Sequence, residues 1–375
     1  MRDSLRARNI FVMLTNRCNL RCSYCYEKGK NERSASYETI TRYLLKEFEE
    51  KCFDEYYIVF HGGEPFIEFD LMKTVAEWCW TSFPELDIRC MTTTNGTCLD
   101  DSMKEWLRNN RDHFVAILSL DGGRDTHNRN RCNSFDYIDK AFFSSCWPDQ
   151  PVKMTVSPNT ISTLFNDMIE VMSFGLKVNP SLAKEVRWDE ERDLPVFKRE
   201  LDKIVSYYLD NPEEMPCEMV NIHPSLFRAE NPLPHNRACG AGVNNIAYNV
   251  EGTAYPCHTF IAELSKSDDP QTLSPLFEDL VGKRGDELSP FCSGCFAYPA
   301  CEPCYGLNWS KRGNMGAIDS NMCAFVKARI IAASRMYAEM ILTGNIVGYK
   351  ALENVSDDEL FDMISGIKNI LSMNI

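Results

Sequence analysis

Thr15-Asn16-Arg17-Cys18-Asn19-Leu20-Arg21-Cys22-Ser23-Tyr24-Cys25-Tyr26 sets three cysteines in a Cys-x3-Cys-x2-Cys spacing. It directly follows Asn9–Thr15, an apolar run that reads as a β-strand. Three thiolates on one tight loop can hold three irons of a 4Fe–4S cubane and leave the fourth iron without a protein ligand. An open iron is what a substrate or cofactor needs in order to coordinate. A zinc knuckle is the competing reading, but structural zinc wants four closed ligands and usually pairs Cys-x2-Cys with a distant partner.

Outward from that loop, the first half of the chain alternates strand and helix signals. Tyr56–Phe60, Asp87–Thr94, Phe114–Leu120, Val152–Val156 and Leu176–Val178 read as further strands. Between them the apolar spacing predicts helices. The first is capped by Ser36 and carries Ile40, Tyr43, Leu44 and Phe48 on one face; Leu71–Trp80, Asp100–Asn109, Phe135–Trp147 and Ile161–Phe174 follow. Each crossover is long enough for parallel pairing. Six such units predict an α/β fold, an open partial (βα)6 barrel with reactive groups at the C-terminal ends of its strands.

A polar stretch and a helix near Val196–Leu209 come next, and then the pattern changes. Residues 211–235 hold five prolines (Pro212, Pro216, Pro224, Pro232 and Pro234) and read as a linker or extended crossing segment. From Cys239 to Cys323 regular structure is sparse. One hairpin is predicted, Ile246–Val250 turning at Glu251-Gly252 into Thr253–Tyr255. A segment with so little core of its own would need metal to hold it. Helices near Ala324–Leu342 and Asp357–Leu371 close the chain. The expected divisions are a barrel over 1–210, a linker over 211–238, a cysteine-rich domain over 239–330 and C-terminal helices over 331–375.

With 44% hydrophobic and 25% charged residues, the chain has the composition of an ordinary globular protein. No apolar run approaches the roughly 20 residues that span a bilayer, and Ile10–Leu14 is too short for a signal-peptide core. A cytoplasmic location without membrane contact is expected. A formal net charge of −14 argues against nucleic acid, whose phosphates would be repelled.

Seventeen cysteines in a reducing compartment point to metal or catalysis rather than to disulfides. Ten fall into two groups. Beside the loop triplet stand Cys239 and Cys257, then Cys292, Cys295, Cys301 and Cys304 in Cys-x2-Cys-x5-Cys-x2-Cys spacing, and Cys323 after eighteen intervening residues. On spacing alone this second group has the pattern of a zinc ribbon. Cys52, Cys79, Cys90, Cys98, Cys132, Cys146 and Cys217 are scattered, and most read as small buried hydrophobes.

The loop motif, with the aromatic Tyr24 just before its third cysteine, resembles the signature of the radical S-adenosylmethionine (SAM) superfamily. The resemblance continues at successive strand ends. His61-Gly62-Gly63-Glu64-Pro65 is similar to the family's Gly-Gly-Glu-Pro element, which binds the methionine amino group. Thr94-Asn95-Gly96-Thr97 and Ser119-Leu120-Asp121-Gly122 resemble segments that line the cofactor site, and His127-Asn128-Arg129-Asn130-Arg131 would lend Arg131 to the SAM carboxylate. The resemblance implies that the reduced cluster gives an electron to SAM at the open iron. The C–S bond then breaks and leaves a 5′-deoxyadenosyl radical that takes a hydrogen from the substrate. A separate reductant such as flavodoxin or ferredoxin is implied as well.

Behind such a barrel the second cysteine group resembles the SPASM extension, which carries two auxiliary clusters in enzymes that modify peptides and proteins. The resemblance thus covers residues 9 to about 330 and implies three 4Fe–4S clusters. It assigns Cys292, Cys295, Cys301 and Cys323 to one auxiliary cluster, and Cys239, Cys257 and Cys304 to the other. The pattern usually places three residues between its last paired cysteines; here Cys301 and Cys304 have two between them. The cluster of Cys239, Cys257 and Cys304 lacks an obvious fourth ligand, and Cys217, His235 or an open iron remain the alternatives.

The families most similar are anaerobic sulfatase-maturating enzymes and maturases of ribosomally made peptides. Where the former carry a basic aspartate after the extension's second cysteine, this chain has His258, a residue able to accept a proton near pH 7. Tyr255-Pro256-Cys257-His258 is more similar to maturases that form thioether cross-links at cysteine. A peptide or protein substrate is therefore expected. The chain starts almost at its first strand, so a leader peptide is expected to be recognised by the barrel, the extension, the Pro-rich segment or a separate protein.

Overall fold

The computed structural model describes residues 7–27, 30–49, 53–222, 239–261, 270–283, 285–292, 295–301, 303–343 and 357–372. Strand and helix alternate through the first half: β1 (Ala7–Thr15), α1 (Tyr37–Glu49), β2 (Glu55–Gly62), α2 (Phe69–Ser82), β3 (Asp87–Thr94), α3 (Asp101–Asn109) and β4 (Phe114–Leu118). Then come α4 (Arg124–Asn130), α5 (Lys140–Cys146), β5 (Val152–Val156), α6 (Leu164–Ser173), β6 (Val178–Leu182) and α7 (Glu190–Asp210). β1 to β4 are parallel neighbours in chain order, with Ile10 beside Ile58, Ile58 beside Cys90 and Thr94 beside Leu118. Alternate residues of these strands, Ile10, Val12 and Leu14 on β1 and Ile58 and Phe60 on β2, share one face and are all buried.

The six expected units are present in order, but their hydrogen bonding is not one continuous ladder. β5 and β6 form a separate pair, linked to β4 by a bridge between Ser119 and Lys153. The cause is Asp121. Its Oδ1 accepts the Thr155 N–H at 2.9 Å, replacing the main-chain carbonyl that a longer β4 would supply. Two boundaries also differ from expectation. The helix expected over Phe135–Trp147 is a 3₁₀ turn at Phe135–Tyr137 followed by α5, because the Asp139 side chain caps a new helix at Phe142 N. The last strand lies at Val178–Leu182 rather than Leu176–Val178. It contains Pro180, which an edge strand tolerates because one row of its N–H groups goes unused in the ladder.

The expected hairpin forms as β7 (Asn245–Tyr248) and β8 (Ala254–Tyr255), with Gly252 at φ +85° in its turn. Its position was not legible in the sequence. β7 adds in parallel to the free edge of β1, Ile246 beside Ile10 and Tyr248 beside Val12, giving the sheet order β4-β3-β2-β1-β7-β8. Tyr248 stacks on Tyr43 with ring centroids 3.9 Å apart and donates to Glu47 Oε1 at 2.6 Å. Beyond it lie α8 (His258–Ile261), α9 (Pro270–Gly282), α10 (Gly285–Leu288), α11 (Tyr305–Arg312), α12 (Cys323–Thr343) and α13 (Asp357–Ser372). This region has more core than expected: Tyr255, Phe260, Leu273, Leu276, Leu280 and Tyr305 form a second apolar cluster. α12 runs without a break past residue 330 and buries Phe325 against Trp188 and Phe197 of the barrel side. Among the described residues no helix is long and apolar enough to cross a membrane.

Candidate active site

The cysteine loop leaves β1 at Thr15 and sits across the C-terminal end of the sheet, its three cysteines half-buried. β2 supports it from beneath. Gly63 N donates to Thr15 O at 3.0 Å and Glu64 N to Arg17 O at 2.8 Å. A Cβ on Gly62 would run into Thr15 O, and one on Gly63 into Arg17 O. The glycine pair is thus explained by the approach of the cysteine loop, whatever else it binds. Burial pushes the Cys22 thiol up to about 11, against the pull of Arg131.

Two polar clusters stand around the loop. In the first, the Glu64 carboxylate is buried and accepts from Phe66 N, Thr94 Oγ1 and Asn95 N at 3.1, 2.7 and 2.8 Å. Burial raises its pKa, and those three donors oppose the rise. Asn95 Nδ2 reaches the loop at Asn19 Oδ1, 2.9 Å away. In the second, Tyr24 donates to Asp121 Oδ2 at 2.5 Å, and Arg131 Nε stands 2.9 Å from the same oxygen as an ion pair rather than an aligned hydrogen bond. The Arg131 guanidinium lies over the Tyr24 ring, 5.4 Å from its centroid. Ser119 is buried at the end of β4, its N–H on Thr94 O. Tyr24, Gly62, Gly63, Glu64, Asn95, Ser119, Asp121 and Arg131 therefore lie at or beside one end of the sheet.

The hairpin brings His258 onto β1 and β2. His258 follows Cys257 and packs its ring between Phe11 at 4.5 Å and His61 at 4.7 Å. Burial, with His61, Lys153 and Lys184 adding to it, holds His258 well below the usual histidine range, so it is neutral. Its Nδ1 is buried without a hydrogen-bond partner; His61 Nε2 and Glu27 Oε1 are likewise unmatched, 3.6 Å apart. Cys257 and Cys304 share the Thr259 hydroxyl at 3.0 and 3.6 Å, and Cys239 is a further charge neighbour of Cys257. The Tyr26 phenol is pushed up by burial and by Glu27, then by Cys25, Cys257 and Cys304, which puts it between the two cysteine groups.

Cys292, Cys295, Cys301 and Cys323 form a third set. Burial raises Cys292, Cys301 and Cys323, and the neighbouring thiols of the set raise each of them further. All four line a cavity of ≈ 700 Å³. The donors in every set are thiols alone, which suits iron–sulfur clusters. Cys217 is buried elsewhere, its N–H on Tyr208 Oη, in the barrel's apolar cluster rather than the one holding Cys257. His235 lies outside the described residues.

Residues 12–142 match the family model described as the Radical SAM superfamily. The chain carries a radical SAM domain. That domain implies SAM and one 4Fe–4S cluster. The cysteine-type anaerobic sulfatase-maturating enzyme of Clostridium perfringens is 31% identical over 140 residues, 33% of this chain and 35% of that protein. The subtilosin biosynthesis protein AlbA of Bacillus subtilis is 24% identical over 337 residues, 84% of this chain and 70% of that protein. The alignment with the sulfatase-maturating enzyme thus spans about a third of its length. In fold the chain is similar to anSMEcpe with bound AdoMet (TM-score 0.66, 17% identity, 88% of this chain and 98% of that one). It is also similar to Streptococcus suis SuiB bound to precursor peptide SuiA (TM-score 0.58, 17% identity, 84% and 75%).

Several residues of the radical SAM domain escaped the sequence reading. Glu27, His61 and Tyr26 are among them: nothing in their spacing shows that His258 packs on His61, that Glu27 faces His61, or that Cys257 and Cys304 stand near Tyr26. Cys98, read as one of the scattered cysteines, stands by the loop with Asn19 Nδ2 3.4 Å from its sulfur. Cys132 is exposed rather than buried, and its sulfur accepts the Arg21 N–H at 3.3 Å. Cys79, Cys90, Cys146 and Cys217 are buried as expected.

His127 yields a pH prediction. It is buried beneath the Asp121 loop, its Nδ1 accepting Asp121 N–H at 3.3 Å and its Nε2 2.9 Å from Ser134 Oγ. Desolvation lowers its pKa to about 4, below the 6.5 of an exposed histidine. The folded state therefore resists a proton that the unfolded chain takes up readily. The stabilisation is fully present above pH 6.5 and is lost as pH falls toward 4. A displacement of that size corresponds to about 3 kcal/mol at the acid end. Urea unfolding of the parent and of His127→Gln from pH 7.5 to 4.5 should show the parent losing stability faster. Parallel curves would place the acid sensitivity elsewhere.

Proposed function

We propose that the protein is a radical SAM enzyme that modifies a peptide, forming a thioether cross-link at a substrate cysteine. One observation carries this reading: β7 pairs with β1, and the hairpin it starts lays the His258 ring against Phe11 of β1 and His61 of β2. On this reading the C-terminal cysteine group would share one site with the radical loop. When bound, SAM and the loop's cluster supply one-electron chemistry and hydrogen abstraction. Cys18, Cys22 and Cys25 would hold that cluster. Glu64, Asn95, Ser119, Asp121 and Arg131 would line the cofactor, with Tyr24 beside it. Cys292, Cys295, Cys301 and Cys323 would hold one auxiliary cluster, and Cys239, Cys257 and Cys304 the other.

Thioether formation needs a proton removed from the substrate thiol. His258 is neutral and has a buried, unmatched Nδ1, so it is the group suited to accept that proton. Cys217 is committed to the Tyr208 side of the core, which favours a ligand position on the Cys239/Cys257/Cys304 cluster left for the substrate cysteine. A flavodoxin or ferredoxin would supply the electron. The division into barrel, linker, cluster domain and C-terminal helices belongs to the same reading.

The test is to purify the protein without air, incubate it with SAM, a reductant and a short cysteine-containing peptide encoded beside its gene, and weigh the product. A thioether removes two hydrogens per link and blocks the cysteine to alkylation. The sulfatase maturases suggest a second reading, in which cysteine becomes formylglycine. That product loses the same hydrogens and also exchanges sulfur for oxygen. A colourless protein with bound zinc would overturn both.

A further inference from the structure

The Arg131 guanidinium stands beside a thiol of the radical loop, with Nη1 4.0 Å from Cys22 Sγ. It is held there from several sides. Asp121, fully buried, pairs with its Nε at 2.9 Å, and the face of the Tyr24 ring lies under it at 5.4 Å. Asp121 is fixed in turn by Thr155 N at 2.9 Å, Tyr24 Oη at 2.5 Å and Asn130 Nδ2 at 3.3 Å. Such bracing goes beyond what a simple ligand contact requires. A guanidinium also has donors to spare: with Nε on Asp121 and Nη1 toward Cys22, Nη2 is left for another acceptor.

We propose that Arg131 is a positioning residue that sets the reduction potential of the cluster on Cys18, Cys22 and Cys25, with Asp121 as its counterweight. The inference rests on the radical-cluster reading of that loop. Reduction adds negative charge to a cluster, so a buried cation beside a ligating sulfur favours the reduced state and raises the potential. The fully buried Asp121 works in the opposite direction. Arg131 Nη1 stands 4.0 Å from Cys22 Sγ, whereas the Asp121 carboxylate is turned to Tyr24 Oη and Arg131 Nε. A contact shared by sulfur and cofactor would also let cofactor binding alter the charge felt by the sulfur. Arg131 is well suited to such coupling.

Redox-titrated EPR of the full-length protein without SAM tests the idea. The radical cluster's signal is identified by its change when SAM is added afterwards. Arg131→Gln is expected to shift the midpoint to more negative potential with iron content unchanged, Asp121→Asn to shift it to more positive potential, and Arg131→Lys to fall between the parent and the glutamine variant. An unchanged or more positive midpoint in an iron-replete Arg131→Gln protein would overturn the proposal. Should that variant lose iron, Asp121→Asn decides alone: a midpoint that does not rise overturns it. If the parent shows no reducible signal that responds to SAM, the cluster reading fails instead, which keeps the two failures apart.

Discussion

Replacing Cys18, Cys22 and Cys25 together with alanine is expected to reduce 5′-deoxyadenosine formation to background while iron remains on the C-terminal cysteines. These three thiols share one loop at the end of β1, whereas the other seven cluster candidates lie from residue 239 onward. Removing the triplet leaves the hairpin and its apolar cluster of Tyr255, Phe260 and Leu280 untouched. A triple replacement is needed because Cys98 lies close by: Cys18 is among the charges that raise it, after burial and Glu64. A single variant leaves that spare thiol beside the loop. The measurement is product by chromatography together with iron and sulfide per chain. Product formation at the parent rate would remove the loop from the chemistry. Loss of all iron would mean that the C-terminal cysteines hold none by themselves.

Local chemistry was legible in the sequence, and long-range placement was not. Ser36 caps its helix as expected, with Thr39 N as donor at 3.1 Å, and Asp100, expected as a first helical residue, is the cap of the next, with Met103 N as donor at 2.8 Å. β3 and β5 begin and end where alternation places them. The boundaries that moved did so for reasons invisible to periodicity. Asp139 inserts a cap into an apolar run that looks like one helix, and α7 begins at Glu190 because Asp189 caps it, although Pro195 sits inside. The hairpin could be read, but its parallel docking on β1 depends on residues far apart in the chain, such as Asn9 and Asn245, 236 positions apart, whose side chains meet at 2.8 Å. For the same reason His258 could be named while its neighbours could not. No local pattern links it to His61 and Phe11.

Gly63→Ala should be the most damaging single-atom change at the site. A methyl at this position overlaps Arg17 O and stands 2.7 Å from Arg17 C and 2.9 Å from Cys18 Cβ, so its neighbours are mostly backbone. Backbone cannot rotate away as a side chain does, and this stretch is pinned by Glu64 N on Arg17 O at 2.8 Å and by Arg17 N on Thr15 Oγ1 at 3.1 Å. The loop must therefore lift off β2, at a cost of about 3 kcal/mol by analogy with overpacked cores. The shift falls first on Cys18, so the radical cluster should be lost before the fold is. The expected result is a lower melting temperature, loss of one cluster's iron and no SAM cleavage, with the C-terminal iron retained. Gly282→Ala is the control: a Cβ there meets nothing within 4 Å, and its effect should stay within about 0.5 kcal/mol. If Gly63→Ala melts like the parent and binds full iron, the loop does not rest on β2 as described. The pair of glycines would then be explained by the cofactor alone.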